Sequence, residues 1–288
     1  MKKLAAMTFS IVLIGIMAIS GSLAYFTDTV ISGNNVITAG SVQVQQIELQ
    51  RNPDATGDVL IPYQQNQPCF PVYAKGDASG YVPSKAFQWN EYVTAENAHS
   101  LLWDEDKLVG SIDKFVFVKN IGTSPAYCRT LIAFECPDGV QYGTAYTENV
   151  DIVLNLNADN SIQWNDLDEK ITIDGTQYQV KVATYLAPVK AGETALPSLL
   201  QIAMSNHVTN QQVMTMGDTY EVLVLTQACQ TTTFIDAANV PDEQKAANAL
   251  DTCFDKVTRA SAENWFNSML QADNAATGSE TGGSAETL

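Results

Sequence analysis

The stretch Ile171-Thr172-Ile173-Asp174-Gly175-Thr176-Gln177-Tyr178-Gln179-Val180 constrains the fold more than any other. β-Branched and aromatic residues stand on both sides of an Asp-Gly pair. That dipeptide tolerates the positive φ angles of a type I′ turn, so two antiparallel strands must meet there. Segments of the same kind recur on either side. Ile112–Lys119 carries apolar residues on both faces, which is the signature of a central strand. Asn120-Ile121-Gly122-Thr123-Ser124-Pro125 has turn chemistry, and Ala126–Glu135 reads as the returning strand of a hairpin that ends at Pro137-Asp138-Gly139. Val150–Leu156 and Ser161–Trp164 read as another hairpin, around Asn157-Ala158-Asp159-Asn160. Thr219–Gln230 is apolar on both faces and therefore interior. Leu199–Val208 leaves strand and short helix both open. Strand spacing and turn chemistry together predict an all-β protein, an antiparallel β-sandwich.

The flanks differ in kind. In Val36–Leu49, Val42 and Val44 alternate with glutamines, and Ile47 and Leu49 continue on the opposite parity. That change of phase predicts a bulge near Gln45-Gln46. Residues 50–110 are punctuated by Pro and Gly and rich in aromatics, and read as a loop-rich insertion with short strands. Beyond Pro241 the period changes. Ala246, Ala247, Leu250 and Phe254 follow helical spacing, and Trp265, Phe266, Met269 and Leu270 mark a second helix. Helices at about 241–271 would form a lid over one open end of the body, which spans 25–272. Residues 273–288 are small and polar and are expected to be disordered.

The chain opens as an export signal. Met1-Lys2-Lys3 is a positive start, Leu4–Ile19 is apolar apart from Thr8 and Ser10, and Ser22 and Ala24 occupy the −3 and −1 positions of a cleavage site between Ala24 and Tyr25. The alternative is an uncleaved anchor, because the apolar run is near the length that spans a bilayer. The net charge of −17 repels nucleic acid and anionic lipid, so contact with membrane is expected only before cleavage. The cysteines, Cys69, Cys128, Cys136, Cys229 and Cys253, are odd in number and include no CxxC pair. Cys128 and Cys136 on one unbroken strand would be ~27 Å apart, beyond the ~7 Å reach of a disulfide. Buried reduced thiol is the expectation for most of the five.

The sequence points to no catalytic residue, metal or cofactor. His99 and His207 fit no paired zinc spacing, and neither a GxSxG elbow nor a phosphate-binding glycine loop is present. The acidic clusters at Asp104-Glu105-Asp106 and Asp166–Glu169 read as solvated charge, since Asp159-x-Ser161-x-Gln163 lacks the Gly and terminal Glu of an EF-hand. Carboxylates paired in space for glycoside cleavage are invisible to a linear reading.

Three further stretches carry a resemblance. They are Ala24-Tyr25-Phe26-Thr27-Asp28 with Gly33-Asn34 and Ala39-Gly40-Ser41-Val42; Lys114-Phe115-Val116-Phe117-Val118-Lys119-Asn120-x-Gly122 followed by Ala126-Tyr127-x-Arg129; and Gly217-Asp218-Thr219-Tyr220 leading to Thr226-Gln227-Ala228-x-Gln230. Together they resemble the TasA/camelysin family, secreted proteins of Gram-positive bacteria whose leaders are cut by a SipW-type signal peptidase. Cys128 departs from the family's usual Val. The resemblance implies jelly-roll topology and a non-enzymatic structural protein of the cell surface or biofilm matrix, self-associating into fibres and meeting other matrix components. The metalloprotease activity described for camelysin is not transferred, because its zinc motif is missing here, and it stays only as a third, less favoured alternative. The expected mechanism is strand addition: Tyr25, Phe26, Asp28, Val30, Val36, Val42 and Val44 form an extended segment that completes a neighbour's sheet. The plainer alternative is that this segment folds back as an edge strand of its own domain. A carbohydrate-binding module using Trp89 or Trp103 is the rival from another class.

Overall fold

The computed structural model describes residues 27–29, 42–51, 60–63, 71–72, 82–87, 99–103, 111–144, 149–205, 208–216, 220–231 and 240–279. The protein is mostly β, built from several sheets whose strand pairs are mainly antiparallel. The main sheet is six-stranded. β9 (Ala126–Glu135) lies at its centre between β16 (Val222–Gln230) and β14 (Thr176–Tyr185). β1 (Thr27–Thr29) pairs outside β16, while β12 (Ile162–Asp166) and β13 (Ile171–Ile173) both pair with β14. A second sheet holds β10 (Tyr142–Gly143), β11 (Ile152–Leu156), β15 (Leu199–Ser205) and β4 (Pro71–Val72), with β7 (Ser111–Asp113) also on β15. A third orders β3 (Leu60–Pro62), β2 (Val44–Arg51) and β8 (Phe115–Asn120). β5 (Val82–Phe87) and β6 (His99–Trp103) form an antiparallel pair within the expected insertion.

The Asp-Gly hairpin forms where the sequence places it. Ile171 faces Tyr178 and Ile173 faces Thr176, while Asp174 (φ 46°) and Gly175 (φ 83°) both take positive φ. The other two expected hairpins do not form. β8 pairs with β2, whereas β9 pairs with β14 and β16, so Asn120–Pro125 carries the chain from one sheet to another. β11 pairs with β15 and β12 with β14, so Asn157–Ser161 does the same. Each connection is held by a fully buried asparagine. Asn120 Nδ2 donates to Ser124 O and Val189 O, both at 2.8 Å, and its Oδ1 accepts from Gly122 N. Asn157 Nδ2 donates to Pro197 O at 2.7 Å, and its Oδ1 accepts from Asp159 N. The strand expected over 112–119 also breaks, at Lys114, where β7 ends on one sheet and β8 begins on another.

The expected bulge in β2 is absent. Val44 to Leu49 pair with Asn120 to Phe115 in unbroken register. The inward parity simply becomes polar: Gln46, Glu48 and Gln50 are buried, and Ile47 and Leu49 pack on Phe115, Phe117 and Leu200. Burial without a partner costs a few kcal/mol per polar group (about 1–3 on protein scales), and partners are present. Lys114 Nζ meets Glu48 Oε2 at 2.5 Å and lies 4.1 Å from the centre of the Tyr63 ring. Gln46 Nε2 donates to Glu48 Oε1, and its Oε1 accepts from Thr226 Oγ1 at 3.1 Å.

The main sheet buries both faces, which is why its strands are apolar on both parities. Leu131, Ala133, Val180, Val182, Leu223 and Leu225 pack under Phe266 and Met269. Ile132, Phe134 and Val224 pack with Val116, Leu154 and Ile202 from the other sheets. Helices α2 (Asp242–Phe254) and α3 (Arg259–Ser279) therefore cover a face of the sheet and not an open end. Full burial of Phe266 contributes roughly 2–3 kcal/mol. α3 runs past the boundary at 272 to Ser279. Leu199–Ser205 is strand, with all its side chains buried. The helix comes afterwards as α1 (Asn210–Met216), opened by a reciprocal cap in which Gln212 N donates to Thr209 Oγ1 and Thr209 N donates to Gln212 Oε1.

Candidate functional site

The candidate site is the end of β16 to which the start of the chain returns. Thr27, Asp28 and Thr29 pair antiparallel with Cys229, Ala228 and Gln227. On its other side the same stretch of β16 pairs with Tyr127, Cys128 and Arg129 of β9. β16 forms here because Val222–Gln230 is β-rich and apolar on both parities, and β9 holds it along its full length. In the single chain, β1 pairs on its own β16. Val42 and Val44 are anchored in this chain's own core with Val118, Cys128, Tyr185 and Ala228. Asp28 is placed by its backbone. Ala24, Tyr25, Phe26, Val30 and Val36 lie outside the described residues, as do the leader, residues 280–288, Cys69, His207 and Trp89.

Beneath this strip lies a polar cluster that sequence reasoning missed. Arg129 is buried on the helix-covered face. Its Nε donates to Gln227 Oε1 at 2.7 Å, its Nη1 to Asp251 Oδ1 at 2.7 Å and its Nη2 to Asp255 O at 2.9 Å. The guanidinium also lies 5.4 Å from the Trp265 ring centre. Burial lowers its pKa from the ordinary value, and the hydrogen bond and charge of Asp251 oppose that. Arginine thus ties β9 to β16, to the last turn of α2 and to the residue that follows it. The sequence did carry a signal: a lone cation inside an otherwise apolar strand demands buried partners.

Next to Arg129, Cys229 and Cys253 come together. Cys229 is fully buried against Ala249 and Leu250 of α2, with Tyr127, Cys253 and Phe254 packed around it. Its neighbour Cys253, with burial, pushes the Cys229 thiol's pKa up. Cys128 faces the opposite side of the sheet, among Val44 and Val118. β9 runs unbroken from Ala126 to Glu135, with Cys128 near its start and Cys136 just past its end. A cleft of ≈ 260 Å³ opens nearby, lined by Arg129, Asp166, Val182, Asp251 and Lys256 among others. Of its charged groups, Arg129 pairs with Asp251 at 2.7 Å, and Asp166 pairs with Lys181 at 2.6 Å. Among the described residues, no group of His, Cys, Asp and Glu is placed to hold a metal.

The arrangement holds a strand, β1, along the outer side of β16. Main-chain hydrogen bonds to β16 are available to any extended segment of suitable sequence. No family model, curated protein or solved structure matches this chain.

Proposed function

We propose that this is a secreted, non-enzymatic structural protein of the cell surface or biofilm matrix, of the TasA/camelysin kind, that assembles by exchanging its N-terminal strand. One observation carries the reading. β1 is three residues long, stands at the very edge of the main sheet and borders the leader cut expected after Ala24. So short a strand contributes few main-chain bonds, and a neighbour's copy of Thr27–Thr29 makes the same ones on β16. Exchange leaves the donor's body intact, because Val42 and Val44 stay in its own core. The donated part is therefore residues 25–41, shorter than the segment through Val44 that the sequence suggests. A SipW-type peptidase frees this segment, so assembly waits for cleavage. The sheets are read as a jelly-roll-like sandwich, and support comes from the core that Ile132, Phe134 and Val224 share with Val116, Leu154 and Ile202. The acidic surface suits a protein that must stay dispersed until the strand is free.

The test is size exclusion and electron microscopy of the protein beginning at Tyr25, with and without residues 25–35. Filaments that need those residues support exchange. Filaments that persist after the deletion overturn it, and a monomer under every condition overturns assembly altogether.

A further inference from the structure

We propose that Cys229 and Cys253 are a disulfide site that locks the α2 layer onto the strand receiving β1. This inference does not depend on the assembly reading. Three observations point to it. Cys229, on β16, and Cys253, in the last turn of α2, sit in one packed cluster with Ala249, Leu250 and Phe254. Cys253 lies near enough to push the Cys229 thiol's pKa up, and closure asks that the two sulfurs come to bonding distance, about 2.05 Å. The other described cysteines are placed elsewhere: Cys128 on the opposite face of the sheet, and Cys136 beyond the far end of β9 with its thiol toward Val140 O.

The roles of the two sulfurs follow from their exposure. Cys253 is half-buried and reachable, whereas Cys229 is fully buried. Arg129 lies near both, and its charge opposes without reversing the upward push that Cys253 and burial give the Cys229 thiol. The Cys253 thiolate attacks one sulfur of an external disulfide, forming a mixed disulfide and releasing one thiolate. Cys229 then attacks the Cys253 sulfur, the Cys229–Cys253 bond forms and the second external thiolate leaves. The two protons pass to solvent or to the departing thiolates. Two electrons pass to the external disulfide and reduce it to two thiols, so the co-reactant is a disulfide oxidant of the kind found outside the reducing cytosol.

The experiment uses the full chain, purified reduced and then incubated with oxidised glutathione. The sample is denatured, alkylated without reduction and mapped by mass spectrometry. The expected result is two fewer alkylated cysteines than in the reduced control and a peptide joining Cys229 to Cys253. Cys253→Ser should leave Cys229 fully alkylatable. Cys229→Ala should trap glutathione on Cys253, which tests the order of attack in a second variant if the first folds poorly. Recovery of both cysteines as alkylated thiols after oxidation overturns the proposal. So does pairing of either one with Cys69, with another chain or stably with glutathione in the unaltered protein.

Discussion

The turn at Asp174-Gly175 and the points where the chain changes sheet solve the same problem by different means. Both must reverse or redirect a strand without stranding polar groups. The hairpin does so locally: two consecutive residues take positive φ, both are solvent-exposed, and the partner strand is adjacent in sequence. The sheet changes at Lys114, Asn120 and Asn157 do so at a distance. Each carries a buried polar side chain (3%, 0% and 0% exposed) whose partner lies far along the chain. Lys114 reaches Glu48 across 66 residues, Asn120 reaches Val189 across 69 and Asn157 reaches Pro197 across 40. A redirected strand is thus paid for in long-range polar contacts, and a reversed one in local backbone geometry.

The sharpest way to break that contrast is at Lys114. Lys114→Met removes the cation from Glu48 and leaves a carboxylate buried at 8% exposure. Removing one member of a buried pair costs about 3–5 kcal/mol. Replacing both, Lys114→Met with Glu48→Met, should recover most of that loss, since apolar substitutes of similar volume are near neutral. Denaturant unfolding of the two variants measures the difference. A single variant as stable as the unaltered protein would mean the pair does not hold the sheet change.

Asn120→Ala comes next. It takes away two donors and one acceptor at once; Val189 O keeps Ala126 N and Gly122 N keeps Gln43 O, while Ser124 O loses the amide that Asn120 supplies. The expected loss is about 2–3 kcal/mol, the sum of a few net hydrogen bonds and the desolvation of what they leave behind. Asn157→Ala removes one fewer bond and should cost about 2 kcal/mol by the same accounting. Proteolysis in the Pro188–Ser198 loop is a second readout, because both asparagines anchor its carbonyls. An unchanged cleavage rate in both variants would separate the loop from the sheet changes.

The same contrast explains what was legible in the sequence. The Asp174-Gly175 hairpin, the strand at Thr219–Gln230 and the two C-terminal helices were readable because their signals are local: turn dipeptide, parity and period. Asn120–Pro125 and Asn157–Asn160 carry equally good turn chemistry, yet they lead into different sheets. What decides is a carbonyl 40 or 69 residues away, which no window of sequence contains. β2 misled for a related reason. A parity change reads as a bulge until Lys114 and Thr226 are known to satisfy Glu48 and Gln46 from within. At the candidate site, the return of Thr27–Thr29 to β16 was one of two readings the sequence left open, and the meeting of Cys229 with Cys253 was not legible at all. Helix α1 was missed although its cap, Thr209-x-x-Gln212, is a local signal that stands in plain view.

The smallest effect belongs to the hairpin itself, and it tests whether a local turn is local in energy too. Gly175 holds φ at +83°, a region in which a side chain is strained whatever the space around it. A Cβ built there meets nothing within 4 Å, so Gly175→Ala adds no clash. The cost is then the backbone term alone, about 1–2 kcal/mol. Asn, which tolerates positive φ better than Ala, should lose less than that. The order Gly, Asn, Ala in thermal or urea unfolding is the expected result. Because the turn reaches no distant partner, the loss in Gly175→Ala should also add to that of Asn120→Ala without coupling. Coupling beyond about 0.5 kcal/mol would show that the hairpin is held from afar after all, and the distinction between reversing a strand and redirecting it would collapse.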